Sequence, residues 1–413
     1  MRQPITRRNF TASLVALSAA GASSRVLADN WPNWRGPNRD GKCATKLPQK
    51  IAQLQPAWTV KLGDSYSGPI IFGKHVLVTE SLNKKSETLI ALERATGNQV
   101  WRKEWEGAMS VPFFAASNGD WIRSTPATDG KRIVVGGMRD VVACFDAETG
   151  NEQWRIDFNK EHKVDLPSFG LVCSPLIDGE FVYVQAGGGI RQIRLADGQL
   201  GWIAMKESGG MMGGAFSSPV IAELNGTRQL VAATRDAMVG VELSSGKELW
   251  QRPIQTFRGM NILTPTIFNQ QIFTSSYGGK SQAISVKAES ATGWSTDVAW
   301  EGKSEAYMSS PIVVGDYAYL HLKNQRVCCI DLKDGSEKWR TQPFGKYWSM
   351  VTDGERILAL DESGKLYLIA ANPEKIELLD QLQVSDEPCW AHLAVADNEI
   401  YVRFQHGLRM YQL

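Results

Sequence analysis

The sequence predicts an all-β fold: an eight-bladed β-propeller of four-stranded antiparallel blades, closed by an N-terminal strand. Three observations predict it. Residues 309–339, SSPIVVGDYAYLHLKNQRVCCIDLKDGSEKW, read as one four-strand unit. Copies of that unit recur with Trp residues roughly 40 to 50 positions apart, the period of propeller blades. One orphan strand stands ahead of the first copy, where it can complete the last.

Within the unit, Ile312, Val313 and Val314 follow Ser-Ser-Pro as a short apolar strand. Gly315-Asp316 turns the chain, and residues 317–322 alternate as a second strand. Residues 326–332 form a third strand, Asp334-Gly335 a second turn, and a fourth strand carries Trp339. Short strands bounded by Gly and Asp turns make an antiparallel meander. Such a sheet has two apolar faces and needs a copy of itself on each side.

The copies follow in order. Ser67-Gly68-Pro69 opens one that ends at Thr96-Gly97 and Trp101, and Ser124-Thr125-Pro126 opens the next, ending at Thr149-Gly150 and Trp154. Cys173-Ser174-Pro175 leads to Asp197-Gly198 and Trp202; Ser217-Ser218-Pro219 leads to Ser245-Gly246 and Trp250. Leu263-Thr264-Pro265 leads, through a degraded third strand, to Trp300. A seventh unit lacks its Trp, and an eighth, from Trp390, stops after its third strand at Leu413. Ala57-Trp58-Thr59-Val60-Lys61 has the look of the missing outer strand. Placed there it closes the ring and removes an open edge.

The repeat residues have mechanical roles. The turn glycines Gly97, Gly150, Gly198, Gly246 and Gly335 sit where a positive φ is expected. The preceding Asp, as in Asp146, can bond the turn backbone. The outer-strand Trp residues offer flat faces to the next blade and an N–H for a carbonyl.

The repeat, Ser-x-Pro, apolar strand, Gly-Asp turn and then Ala-Leu-Asp-x-x-Thr-Gly-x-x-x-Trp, resembles the pyrroloquinoline-quinone (PQQ)-like β-propeller repeat. Residues 143–154, from Ala-Cys-Phe-Asp to Trp154, are the nearest copy. The same repeat builds the quinoprotein dehydrogenases and the non-enzymatic outer-membrane assembly factors of the BamB type. Residues 31–41, WPNWRGPNRDG, resemble a segment found ahead of the first blade in secreted propellers of this class. The repeat is specific for fold and not for function.

The expected organisation is a signal peptide over residues 1–28, an N-terminal arm over 29–55 and the propeller over 56–413. Thr6-Arg7-Arg8-Asn9-Phe10 is a twin-arginine pattern; a short apolar stretch and Val26-Leu27-Ala28 follow as h-region and cleavage site. This predicts a periplasmic or secreted protein. The first 28 residues hold four Arg and no acid, so their removal takes the net charge from +1 to −3. That balance has no footprint for nucleic acid. No apolar run is long enough for a transmembrane segment, and a monomer is expected. The arm would lie on the propeller, anchored by Trp31 and Trp34.

No motif assigns a catalytic or metal-binding residue. His75, His162, His321, His392 and His406 lack metal-ligand spacing. Gly279-Lys280-Ser281 resembles the end of a P-loop, but Thr274 stands in place of its first Gly. The six Cys show no disulfide framework and read as small buried apolar residues. Resemblance to quinoprotein alcohol dehydrogenases would make Cys328-Cys329 a vicinal disulfide over PQQ. Within one strand, however, successive side chains face opposite ways. Two readings remain: a non-catalytic binding scaffold without a cofactor, favoured here, and a dehydrogenase using PQQ and calcium. A hydrolase or lyase using the funnel is a third.

The candidate site is the face where fourth-to-first and second-to-third strand connections gather. The former carry Trp121, Arg123, Phe169, Met211, Met212, Phe216, Arg258, Tyr307, Trp348, Trp390 and His392. The latter add Arg139, Arg191 and Arg235. Aromatic, Met and Arg side chains are those that dominate binding surfaces, so a protein, peptide or glycan is expected there. Arg123, Arg191, Arg235 and Arg258 together point to an anionic ligand or acidic peptide.

Overall fold

The strand Pro56–Lys61 pairs antiparallel with Gly407–Gln412, Trp58 opposite Met410 and Val60 opposite Leu408. The predicted closure therefore forms. The computed structural model describes residues 30–207, 209–289 and 293–413; the signal peptide predicted over 1–28 lies outside them. The described residues build eight four-stranded antiparallel sheets. Blade 1 spans residues 70–106, blade 2 127–157, blade 3 176–204, blade 4 220–253, blade 5 266–302, blade 6 312–340 and blade 7 349–383. Blade 8 takes residues 394–412 plus the N-terminal strand. Blade 5 departs from expectation. Its third strand, Ser281–Glu289, is nine residues long and fully paired with a fourth that starts at Gly293.

The core lies between blades. One apolar cluster joins Cys144 and Trp154 of blade 2 to Val182 and Ile193 of blade 3. The repeat Trp residues, Trp250 excepted, stand on the third-to-fourth strand turn of the next blade. Trp58, Trp154, Trp202 and Trp300 donate Nε1–H to the carbonyls of Arg94, Leu195, Leu243 and Leu332 at 2.8–3.0 Å. The acceptor lies three residues before the turn glycine each time. Those glycines do have φ near +75°, and a Cβ on any of them would meet the indole.

The Ser/Thr-Pro motifs stitch the inner strands. The residue before each Pro is extended, and its N–H points sideways. Gly68 N donates to Thr125 Oγ1, Thr125 N to Ser174 Oγ, Ser174 N to Ser218 Oγ and Thr264 N to Ser310 Oγ, at 2.9–3.0 Å. A hydroxyl from one blade thus satisfies a buried backbone donor of the blade before it.

The N-terminal arm fills the axial channel. Trp31 pairs with Ile71 of blade 1, and Thr128 of blade 2 donates to the Pro32 carbonyl. Trp34 Nε1 reaches Thr264 Oγ1 of blade 5 at 3.0 Å, while its ring meets His392 of blade 8 edge-on at 4.9 Å. Arg39 donates to the Ser174 and Pro175 carbonyls of blade 3, and Arg35 to the Pro311 carbonyl of blade 6. One short segment therefore touches inner strands on opposite sides of the axis. The rim side chains need not plug the channel, because the arm does.

Candidate functional site

Every connection between blades brings an aromatic residue to the face opposite the Gly/Asp turns. Following the ring, Trp121 meets Tyr66 edge-on (5.1 Å), Tyr66 stacks on Trp390 (4.7 Å) and Trp390 packs on Tyr347 (4.5 Å). Tyr347, Tyr307, Tyr277 and Phe257 continue the contacts to blade 4. A second arc runs Phe113, Phe114, Phe169, Phe216. Arg235 joins the arcs: its guanidinium lies 4.2 Å over Phe216 and donates to the Arg258 carbonyl. Such pairs are worth about 0.5–1.5 kcal/mol each beyond burial, so the ring is a rigid surface.

The most open part lies over the connections of blades 1 to 5. Pro112 starts a 3-10 turn, Phe113–Asn118, that carries the Phe pair outward. Phe113 is 90% exposed, and Phe114, Met211, Met212 and Phe257 are also exposed. Exposed aromatic and Met side chains crowd this side of the face, Phe113 against Phe114 and Phe257 beside the cationic Arg258. Across the face, Tyr277, Tyr307, Tyr347, Lys323 and Lys346 line a cavity of about 180 Å³. Lys323 Nζ sits 4.2 Å over the Tyr277 ring. Burial pushes the Tyr307 hydroxyl up to about 12, with Tyr347 and Tyr277 adding to it.

The structure distributes the predicted site residues in three ways. Met211, Met212 and Arg258 are exposed; Trp121, Arg139, Phe169, Phe216, Tyr307 and Trp390 are half-buried on the rim. Trp348, His392 and Arg235 are buried beneath it. Trp348 stacks between blades 6 and 7 on Tyr367 at 5.2 Å. His392 is held by the Leu393 carbonyl, and burial, then the Arg35 charge, drives its imidazole down to about 3.

Three of the four arginines expected to meet an anion spend their donors on the protein's own backbone. Arg123 donates to Gly119 O, Arg191 to Gly187 O, and Arg235 to the carbonyls of Gly214, Met211 and Arg258. These three hold loops in shape. Arg191 also lies within the strand Ile190–Arg194, not in the connection before it. Tyr66, Tyr277, Phe257 and the Phe113-Phe114 pair were missed. The signal was available: each is an aromatic residue inside an inter-blade or second-to-third connection.

Two buried acids tie connections together. Glu87 accepts from Met138 N at 2.9 Å and Trp105 Nε1 at 3.0 Å, and burial pushes its carboxyl up to about 8. Asp140 accepts from Gly187 N at 3.0 Å and is raised to about 6, again by burial. Glu87 ties the outer strands of blade 1 to the second-to-third connection of blade 2, and Asp140 ties that connection to its counterpart in blade 3.

The residues do not fit PQQ and calcium. Calcium takes about six to eight oxygen ligands, and among the described residues no three His, Cys, Asp or Glu side chains gather as a metal site requires. Cys328 and Cys329 are unpaired and point to opposite faces. Cys328 packs with Leu320 and Ile330, Cys329 with Tyr319 and Trp348. Trp34, Arg35 and Arg39 occupy the channel.

Fold and face together define an eight-bladed propeller of PQQ-like repeats with a continuous aromatic rim on one face. The family described as outer membrane protein assembly factor BamB matches residues 84–341, and this chain belongs to it. A curated BamB from Moranella endobia is 22% identical over 335 residues, covering 78% of this chain and 80% of that protein. Among solved structures, BamB from Moraxella catarrhalis aligns over 88% of this chain and 98% of its own, with a TM-score of 0.64 and 14% identity. A europium-containing methanol dehydrogenase aligns with a TM-score of 0.52, 12% identity, and 94% and 99% coverage. At such identities the structural likenesses establish the fold.

Proposed function

We propose that this chain is an exported, non-catalytic scaffold that holds a protein partner on its aromatic face during assembly of outer membrane proteins. The observation that carries this reading is the exposed Phe113, Phe114, Met211, Met212 and Phe257 patch beside Arg258. Interface cores favour aromatic, Met and Arg side chains. The family membership supports a role in assembly, and the twin-arginine pattern supports a periplasmic location. Among the described residues no helix is long and apolar enough to cross a membrane.

The test is capture from periplasmic extract by the tagged mature protein. The parent should retain a defined partner; Phe113→Asp and Arg258→Ala should lose it without a change in melting temperature. Normal capture by both variants would place the interface elsewhere.

A further inference from the structure

We propose that the funnel floor, at the axis of the propeller, is a receptor for a single carboxylate group presented by the partner. This rests on the scaffold reading and names what that partner inserts. The pocket is about 60 Å³, room for one small group. Its floor is the half-buried Trp34, and Tyr347, Trp390 and Met308 surround its mouth.

Three hydroxyls line it. Ser310 Oγ accepts Thr264 N and Ser349 Oγ accepts Leu393 N, each at 3.0 Å. A hydroxyl has one hydrogen to give besides its lone pairs, so each still has an O–H to donate. Ser309 adds a third from the wall. No carboxylate lines the cavity; Glu362 stands outside, its Oε1 holding Trp390 Nε1 at 3.0 Å.

The charge beneath is unbalanced. Arg35 and Arg39 are buried in the channel, and they donate to backbone carbonyls. Neither lies within ion-pair distance of an acid among the described residues, and both Nε atoms lack a hydrogen-bond partner. Asp40 lends Arg35 a counter-charge without an ion pair, and burial still pulls both guanidinium groups down to about 10, so two cations sharing one unpaired acid remain costly. An anion at the channel mouth offsets that cost, and hydroxyl donors with aromatic walls suit a planar carboxylate better than a larger, more hydrated anion.

The experiment titrates the mature protein with N-acetyl-alanyl-alanine, its C-terminal amide, and N-acetylglutamic acid α-amide, by calorimetry and Trp fluorescence. Saturable binding of either acid, with none by the terminal amide, is expected. The first acid reports a chain terminus, the second a side chain. Ser309→Ala should weaken binding on the order of tenfold, the loss of one hydrogen bond to a charged group. Arg35→Gln, checked for native circular dichroism, should weaken it further. Equal response to acid and amide, or parent-like binding by Ser309→Ala, overturns the proposal. Normal partner capture with no carboxylate response refutes the pocket alone. Carboxylate binding with no captured partner refutes the scaffold reading alone.

Discussion

The indole of Trp154 rests on Gly198 of the following blade, where a Cβ would fall 2.8 Å from the ring. Its Nε1 reaches the Leu195 carbonyl at 2.9 Å, and Gly198 holds φ +76°. The glycine is required twice, for its backbone angle and for the space the indole occupies. Trp250 shows what happens without that partner. In the next blade Gly293, at φ +91°, has open space around it and no indole against it, and Trp250 turns inward, its Nε1 donating to Gln229 Oε1 at 2.6 Å. Gly240 in the adjacent strand makes the room, since a Cβ there would sit 2.1 Å from that nitrogen.

Trp154→Ala is therefore expected to cost about 3–5 kcal/mol, the usual range for truncating a buried Trp. Gly198→Ala should also destabilise, through both φ and contact. Urea unfolding of the two variants checks this, and an unchanged midpoint for either would disprove the joint.

Removing residues 30–61 deletes both the channel plug and the strand that pairs with Gly407–Gln412. The outer edge of blade 8 is then unpaired. Size-exclusion chromatography should show aggregates. A monomeric, cooperatively unfolding product would refute closure by this strand.

Glu87 makes stability depend on pH. Its folded carboxyl is raised from 4.5 to about 8, so between those values the folded state binds the extra proton. Its stabilising contribution is complete below about pH 4.5 and is lost as pH rises towards 8. Glu87→Gln stays neutral and should equal the parent at pH 4.5 but exceed it at pH 8.5. A variant-to-parent difference that ignores pH would sink this assignment.

Rim and sub-rim residues should separate. Trp348→Ala, at 2% exposure, should lower stability by about 3–5 kcal/mol, with lost capture following from unfolding. Phe113→Asp should leave the melting temperature within about a degree, since exposed substitutions rarely matter. The reverse pattern would exchange the roles assigned to these residues.

Replacing Arg7 and Arg8 with Lys should stop export, and the mature N-terminus of the parent should be Asp29. Secretion of the double variant, followed by immunoblot of the periplasm, would refute the twin-arginine route.

The repeat was legible because its determinants are local. Alternation at period two, Gly at φ-demanding turns, and one Trp per unit are set within a few residues, so blade count and the closing strand at Trp58 followed from the sequence. The face on which Phe169, Trp390 and Arg258 lie followed from topology alone. Tertiary structure decided what those side chains do there. Arg123, Arg191 and Arg235 spend their donors on loop carbonyls, and Trp348 faces inward, because side-chain direction in irregular connections depends on neighbouring blades. Only the folded ring brings residues 31–43 against inner strands hundreds of positions away. The arm's place in the channel is a sum of contacts with six or more blades, and no local pattern encodes such a sum.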